Sequence, residues 1–161
     1  MKFHLLLALL LPLFGFCQKK SIDKLLETYN TRSVPYISVQ ELKMNLEAYT
    51  ILDTRKREEF EVSHLPSAIW VGERPQNAFL DSISYKKKPI VVYCTVGIRS
   101  EDFGEKLERE TGKTAHNLYG GIFAWKDAGF KIVDAKGKST QKVHTFSKNW
   151  EDYLSTGIAV H

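Results

Sequence analysis

The stretch Pro89 to Cys94, PIVVYC, constrains this chain more than any other. Successive side chains of a strand point to opposite faces. Ile90, Val91 and Val92 are all β-branched and apolar, so both faces need cover, as in a parallel sheet with helices packed on either side. The run opens after a helix-incompatible Pro89 and is followed by a short loop, TVGI. Next comes RSEDFGEKLERETG, which reads as a helix with acids at Glu101 and Asp102 in its first turn and Gly112 placed to end it.

The rest of the chain repeats that alternation. SIDKLLETYN reads as a short amphipathic helix capped by Ser21. Tyr36 and Ile37 form an extended piece, and Ser38 with Glu41 makes a capping box for a helix to about Leu46. TILDT is a short strand closing on Asp53, KREEFEVS a short helix, AIWVG a further strand and NAFLDSISY a further helix. AHNLY is a strand, and the pair Gly120 and Gly121 opens the helix IFAWKDAG, which Gly129 stops. FKIV is a candidate last strand. Short connections between alternating strands and helices imply right-handed crossovers, hence an α/β fold with a mostly parallel central sheet flanked by helices on both faces.

Four segments follow from this pattern. Residues 1–17 have a basic start and an apolar run from Leu5 to Phe14 that is shorter than the ~20 residues of a membrane-spanning helix, so they read as a secretory leader cut after Cys17. The alternative is acylation at Cys17, which the bulky Phe16 disfavours. Residues 18–35 form a helical lead, 36–133 the domain and 134–161 a polar linker, DAKGKSTQK, with an appended strand and helix. The protein is therefore expected to be exported, periplasmic or secreted, with no stable membrane insertion after cleavage. At 161 residues and 43% hydrophobic, one core fits and two do not. Loss of Lys2 with the leader takes the formal charge from +4 to +3. This mild excess, spread over solvated turns such as the run Lys86 to Lys88, indicates no nucleic-acid partner.

The mature chain then holds a single cysteine, Cys94, in a compartment that permits disulfides it cannot form internally. A small buried hydrophobe is one reading of such a thiol. Its position at the end of the most apolar strand favours another, since ligands in such sheets sit beyond the strands' carboxyl ends. A loop this short, completed by a helix N-terminus, turns successive amides toward an anion. Gly97 lets the backbone curl and Arg99 adds a fixed positive charge. His64, His116, His144 and His161 have no paired ligand spacing, so no metal is expected. His64, Trp70 and Trp125 read as structural residues.

CTVGIRS resembles the active loop of rhodanese-like sulfurtransferases, in which the cysteine carries a persulfide. ILDTRKREEFEVSHLPSAIWV and LYGGIFAWKDAGF are similar to that family's N- and C-terminal signatures, and YISVQEL to its opening segment. The likeness runs in order from Tyr36 to Val133 and implies a three-layer rhodanese-like fold. It also implies a double displacement, with a small sulfur donor such as thiosulfate, a thiol or cyanide acceptor, and no cofactor. Cys94 would be the nucleophile, the amides of Thr95, Val96, Gly97, Ile98, Arg99 and Ser100 the cradle for the outer sulfur, and the Ser100 hydroxyl a further donor. Asp53, paired with Arg55, would hold the loop or an arginine in place. Thr95 and Val96 stand where thiosulfate-preferring members often carry basic residues. An exported thiol also invites a reducing protein partner.

Two other readings fit the same residues. A catalytically silent binding module would keep the fold but would be expected to have lost the cysteine or the loop. Phosphatases and arsenate reductases also place an arginine after a cysteine, in a loop one residue longer than the four residues, Thr95 to Ile98, found here. The smaller ring suits sulfur better than a tetrahedral oxyanion.

Overall fold

A computed structural model of the chain describes residues 20–76 and 88–161. The leader at 1–17 and the helix expected at NAFLDSISY lie outside the described residues. Five parallel strands form the main sheet: β1 (Tyr36–Ile37), β2 (Thr50–Asp53), β3 (Ile69–Trp70), β4 (Ile90–Tyr93) and β5 (Ala115–Leu118), in the order β1-β5-β4-β2-β3. β4 is central, paired in parallel with β2 on one side and β5 on the other. The strand ends at Tyr93, so Cys94 is the first residue of the loop rather than the last of the strand.

Both faces of β4 are covered, as its sequence demands. Val91 and Tyr93 pack with Ile51, Leu42 and Phe123 on one side, whereas Ile90 and Val92 pack with Leu52, Phe103 and Leu107 on the other. The first layer is built by α2 (Val39–Met44) and by the helix Gly121–Asp127; the second by Ile98–Thr111. Two more helices, α1 (Ile22–Tyr29) and α3 (Arg57–Val62), flank the sheet's carboxyl edge, and in chain order Ile98–Thr111 is α4 and Gly121–Asp127 is α5. Caps follow the sequence: Ser21 and Ser38 accept the amides of Lys24 and Glu41, and Gly112 closes α4 in the left-handed region at φ 67°.

The C-terminal segment from Ile132 onward departs from the sequence reading. Ile132–Val133 (β6) does not join the main sheet; it pairs antiparallel with Ser139–Thr140 (β7). DAKGKSTQK is therefore a hairpin and not a linker, because the Asp134 carboxylate accepts the amides of Lys136 and Lys138, both at 2.9 Å, and organises the turn. Beyond it, β8 (Lys142–His144) and β9 (Ile158–Val160) form a parallel pair joined by a 3₁₀ turn at Lys148–Tyr153. Val143 is fully buried in the first core layer and anchors this tail. Among the described residues, no helix is long and apolar enough to cross a membrane.

Candidate active site

The loop after β4 is shaped by what its carbonyls are given. The amides of Ile122 and Phe123, in the first turn of α5, donate to the carbonyls of Cys94 and Thr95 at 3.0 and 3.2 Å. The Gly97 carbonyl accepts from the side-chain amides of Asn30 and Asn117 at 2.9 and 2.8 Å. A trans peptide directs its N–H opposite to its C=O. The amides of Thr95, Val96 and Ile98 consequently face away from these partners, and the Gly97 N–H donates to the Cys94 sulfur at 3.2 Å. Gly97 occupies φ 111°, which only glycine tolerates well, and caps α4 without a side-chain partner. The first-turn amides of α4 receive no side-chain cap.

Around the loop, the side chains divide into two charged pairs. Arg99 donates to Glu59 of α3 through Nη1 and Nη2, both at 2.8 Å, to Glu73 at 3.2 Å and to the Thr95 hydroxyl at 2.8 Å. The fixed positive charge expected beside the loop is thus shared with two carboxylates. Thr95 in turn donates to Glu59 at 3.1 Å. Burial raises the Glu59 carboxyl, but the Arg99 hydrogen bonds and the charges of Arg99 and Arg55 outweigh it and hold it below its ordinary value. Arg55 forms a fully buried fork with Asp53, with contacts at 2.6 to 3.2 Å, and donates to the Ser63 carbonyl at 2.7 Å. Ser100 needs a correction: its hydroxyl is buried against Asn117 Oδ1 at 2.7 Å, so it ties α4 to β5 rather than facing the sulfur.

Above the loop lies a cavity of about 490 Å³. Cys94, Thr95, Val96, Ile98 and Arg99 form one side; Leu25 and Tyr29 of α1 and Phe146, Trp150 and Tyr153 of the tail form the other. Cys94 is only 1% exposed and lines the floor of this cavity. Phe146 holds an unusual left-handed backbone, φ 66°, with its amide donating to His144 Nδ1 at 3.0 Å. Its ring faces the Arg99 guanidinium at 4.9 Å.

The Rhodanese-like domain family model matches residues 38–128. The chain belongs to this family. Similar curated proteins include the tRNA uridine(34) hydroxylase of Streptococcus suis, 36% identical over 94 residues that cover 54% of this chain and 29% of that protein. The adenylyltransferase and sulfurtransferase UBA4 of Candida albicans is 29% identical over 119 residues, 70% of this chain and 26% of that protein. The chain thus spans less than a third of the length of these relatives. Among solved structures, a rhodanese-related protein of Thermoplasma volcanium has TM-score 0.50 at 26% identity, covering 62% of this chain and 97% of that one. The thiosulfate sulfurtransferase of Pseudomonas aeruginosa, at 24% identity and TM-score 0.54 over 71% of this chain and 22% of that one, shares the fold.

In this rhodanese-like site, sequence reasoning missed Glu59, Asn30, Asn117 and the three tail aromatics. Nothing local separates the buried Glu59 from its exposed neighbour Glu58. Phe146, Trp150 and Tyr153 stand at helical spacing in the appended segment, the one local signal of an apolar face there. Trp150 and Tyr153 do pack against the first core layer, yet the same rings wall the cavity.

Proposed function

We propose that this chain is a sulfurtransferase that carries sulfane sulfur on Cys94. The observation that supports the reading best is the Gly97 amide on the Cys94 sulfur, at the base of a cavity that Cys94 lines. Amides preorganised in this way stabilise negative charge without reorganising during the reaction. In the first half-reaction the Cys94 thiolate attacks the outer sulfur of a donor R–S–SH. The S–S bond breaks, its electron pair leaves with R–S⁻, and Cys94 becomes the persulfide Cys94–S–SH. In the second, a thiolate acceptor attacks that outer sulfur, takes it as a new persulfide and releases the Cys94 thiolate. Arg99 and Glu59 position the loop through Thr95, and Asp53 with Arg55 supports the strand ends below it.

The leader reading sets this chemistry outside the cytoplasm, where a dithiol partner would keep Cys94 from overoxidation. Mature protein beginning at Gln18 is the expected product of processing. For the activity, intact mass after incubation with thiosulfate, mercaptopyruvate or a thiol persulfide is expected to rise by about 32 Da on Cys94 and not in Cys94→Ser. Absence of that adduct with every donor would make the chain a silent binding module of the same fold.

A further inference from the structure

We infer that the tail aromatics Phe146, Trp150 and Tyr153 select the sulfur donor, favouring an organic sulfane donor with an apolar or aryl body over a small dianion such as thiosulfate. This rests on the sulfur-transfer reading above and deepens it.

Three observations converge on that substrate class. The cavity of about 490 Å³ lies within the ~300–1,000 Å³ typical of pockets for small organic ligands, far more room than a bare sulfur oxyanion needs. Its wall opposite the loop is apolar and aromatic: Leu25, Tyr29, Phe146, Trp150 and Tyr153, with Phe146 edge-on to Trp150 and Trp150 tilted against Tyr153. Finally, both cations that line it are already paired. Arg99 is held by Glu59 and Glu73, and Lys20 by Asp152 at 2.9 Å. The carboxylates of Glu59 and Glu73 offset the Arg99 charge, which weakens its pull on a second negative charge.

The wall is also built at some conformational cost. Phe146 keeps a backbone conformation that L-residues seldom adopt, fixed by the His144 acceptor, and this aims its ring over the loop. Every one of these wall residues lies outside the matched span 38–128. The wall is therefore an addition to the domain at the mouth of its nucleophile.

The chemistry is the same displacement with a different leaving group. With an aryl thiosulfonate, Ar–SO₂–S⁻, the Cys94 thiolate attacks the outer sulfur, the S–S bond breaks with its electron pair going to the sulfinate Ar–SO₂⁻, and the persulfide anion Cys94–S–S⁻ remains. Two negative charges enter and two leave, and no oxidant or reductant is required.

The test compares kcat/KM for benzenethiosulfonate and thiosulfate in the wild type, Phe146→Ala and Trp150→Ala. Burial of a phenyl body predicts an aryl preference of about 10- to 100-fold in the wild type, falling by about 10-fold in each variant. Phe146 is 43% exposed, so its variant reads the wall even where Trp150→Ala unfolds the tail. A wild type that prefers thiosulfate, or a ratio unmoved in Phe146→Ala, overturns the inference while leaving sulfur transfer intact. Failure of both donors to load Cys94 by mass overturns the sulfur-transfer reading and this inference with it.

Discussion

Glu59 and Arg99, forty residues apart, meet in a bidentate pair: Arg99 Nη1 donates to Oε2 and Nη2 to Oε1, both at 2.8 Å. The carboxylate is buried and the guanidinium mostly so, with side chains 1% and 23% exposed. That pair joins α3 to the start of α4 and holds the Thr95 hydroxyl between them.

Replacing Glu59 by Gln leaves Arg99 without its main partner, and the expected loss is about 3 kcal/mol in urea unfolding at pH 7. The folded carboxyl titrates below 4.5, so the pair's contribution is complete above that value and disappears as pH falls through the folded value. An acid titration of stability should therefore be steeper in the wild type than in Glu59→Gln. Equal acid limbs would refute the assignment.

Asp53 and Arg55 are both fully buried. Asp53→Asn leaves a buried guanidinium uncompensated and is expected to cost about 3–5 kcal/mol, whereas Asp53→Leu combined with Arg55→Met should cost less than the single change. A double-mutant cycle in denaturant measures both.

A Cβ on Gly121 would stand 2.4 Å from the Cys94 carbonyl oxygen and 2.7 Å from the Thr95 carbonyl, at φ 54°. Gly121→Ala must push the loop off its α5 anchor, so sulfur loading of Cys94 should slow by about tenfold or more, since small misplacements of a reacting group are costly. Gly129→Ala is the control. It also has positive φ but nothing within 4 Å, and should cost about 1–2 kcal/mol of stability from the backbone alone. Loading equally fast in both variants would contradict the anchoring role.

His144 accepts the Phe146 amide only when neutral. Burial lowers its pKa below 6.5, Arg55 and His161 lower it further, and Glu59 and Glu58 oppose them. The unfolded chain takes up this proton first, so the stabilisation is complete above pH 6.5 and is lost as pH falls through the folded value. Between pH 7 and 5 the melting temperature should fall more in the wild type than in His144→Gln. Parallel profiles would remove His144 from the tail's support.

Much of this was legible without coordinates because it is local. The apolar succession in Ile90 to Val92 requires cover on two faces, and helices with caps at Ser21, Ser38 and Gly112 follow from residue chemistry within one turn. The same holds for the Cys94 loop: a thiol, a glycine and a helix start within a few residues define an anion-favouring bend however the rest of the chain is arranged.

The partners of that loop were settled elsewhere. Sheet order β1-β5-β4-β2-β3 sets β2 and β5 on either side of β4, and so brings Glu59, from the helix after β2, and Asn117, from β5, to the two flanks of one bend. No periodicity encodes such a meeting. Asp134, a residue of ordinary turn chemistry, folded a presumed linker into a hairpin, and burial of Val143 then carried Phe146, Trp150 and Tyr153 across Cys94. Local chemistry therefore determined where the sulfur is held. What faces it depended on long-range packing, whose outcome is a sum over contacts between segments far apart in the chain.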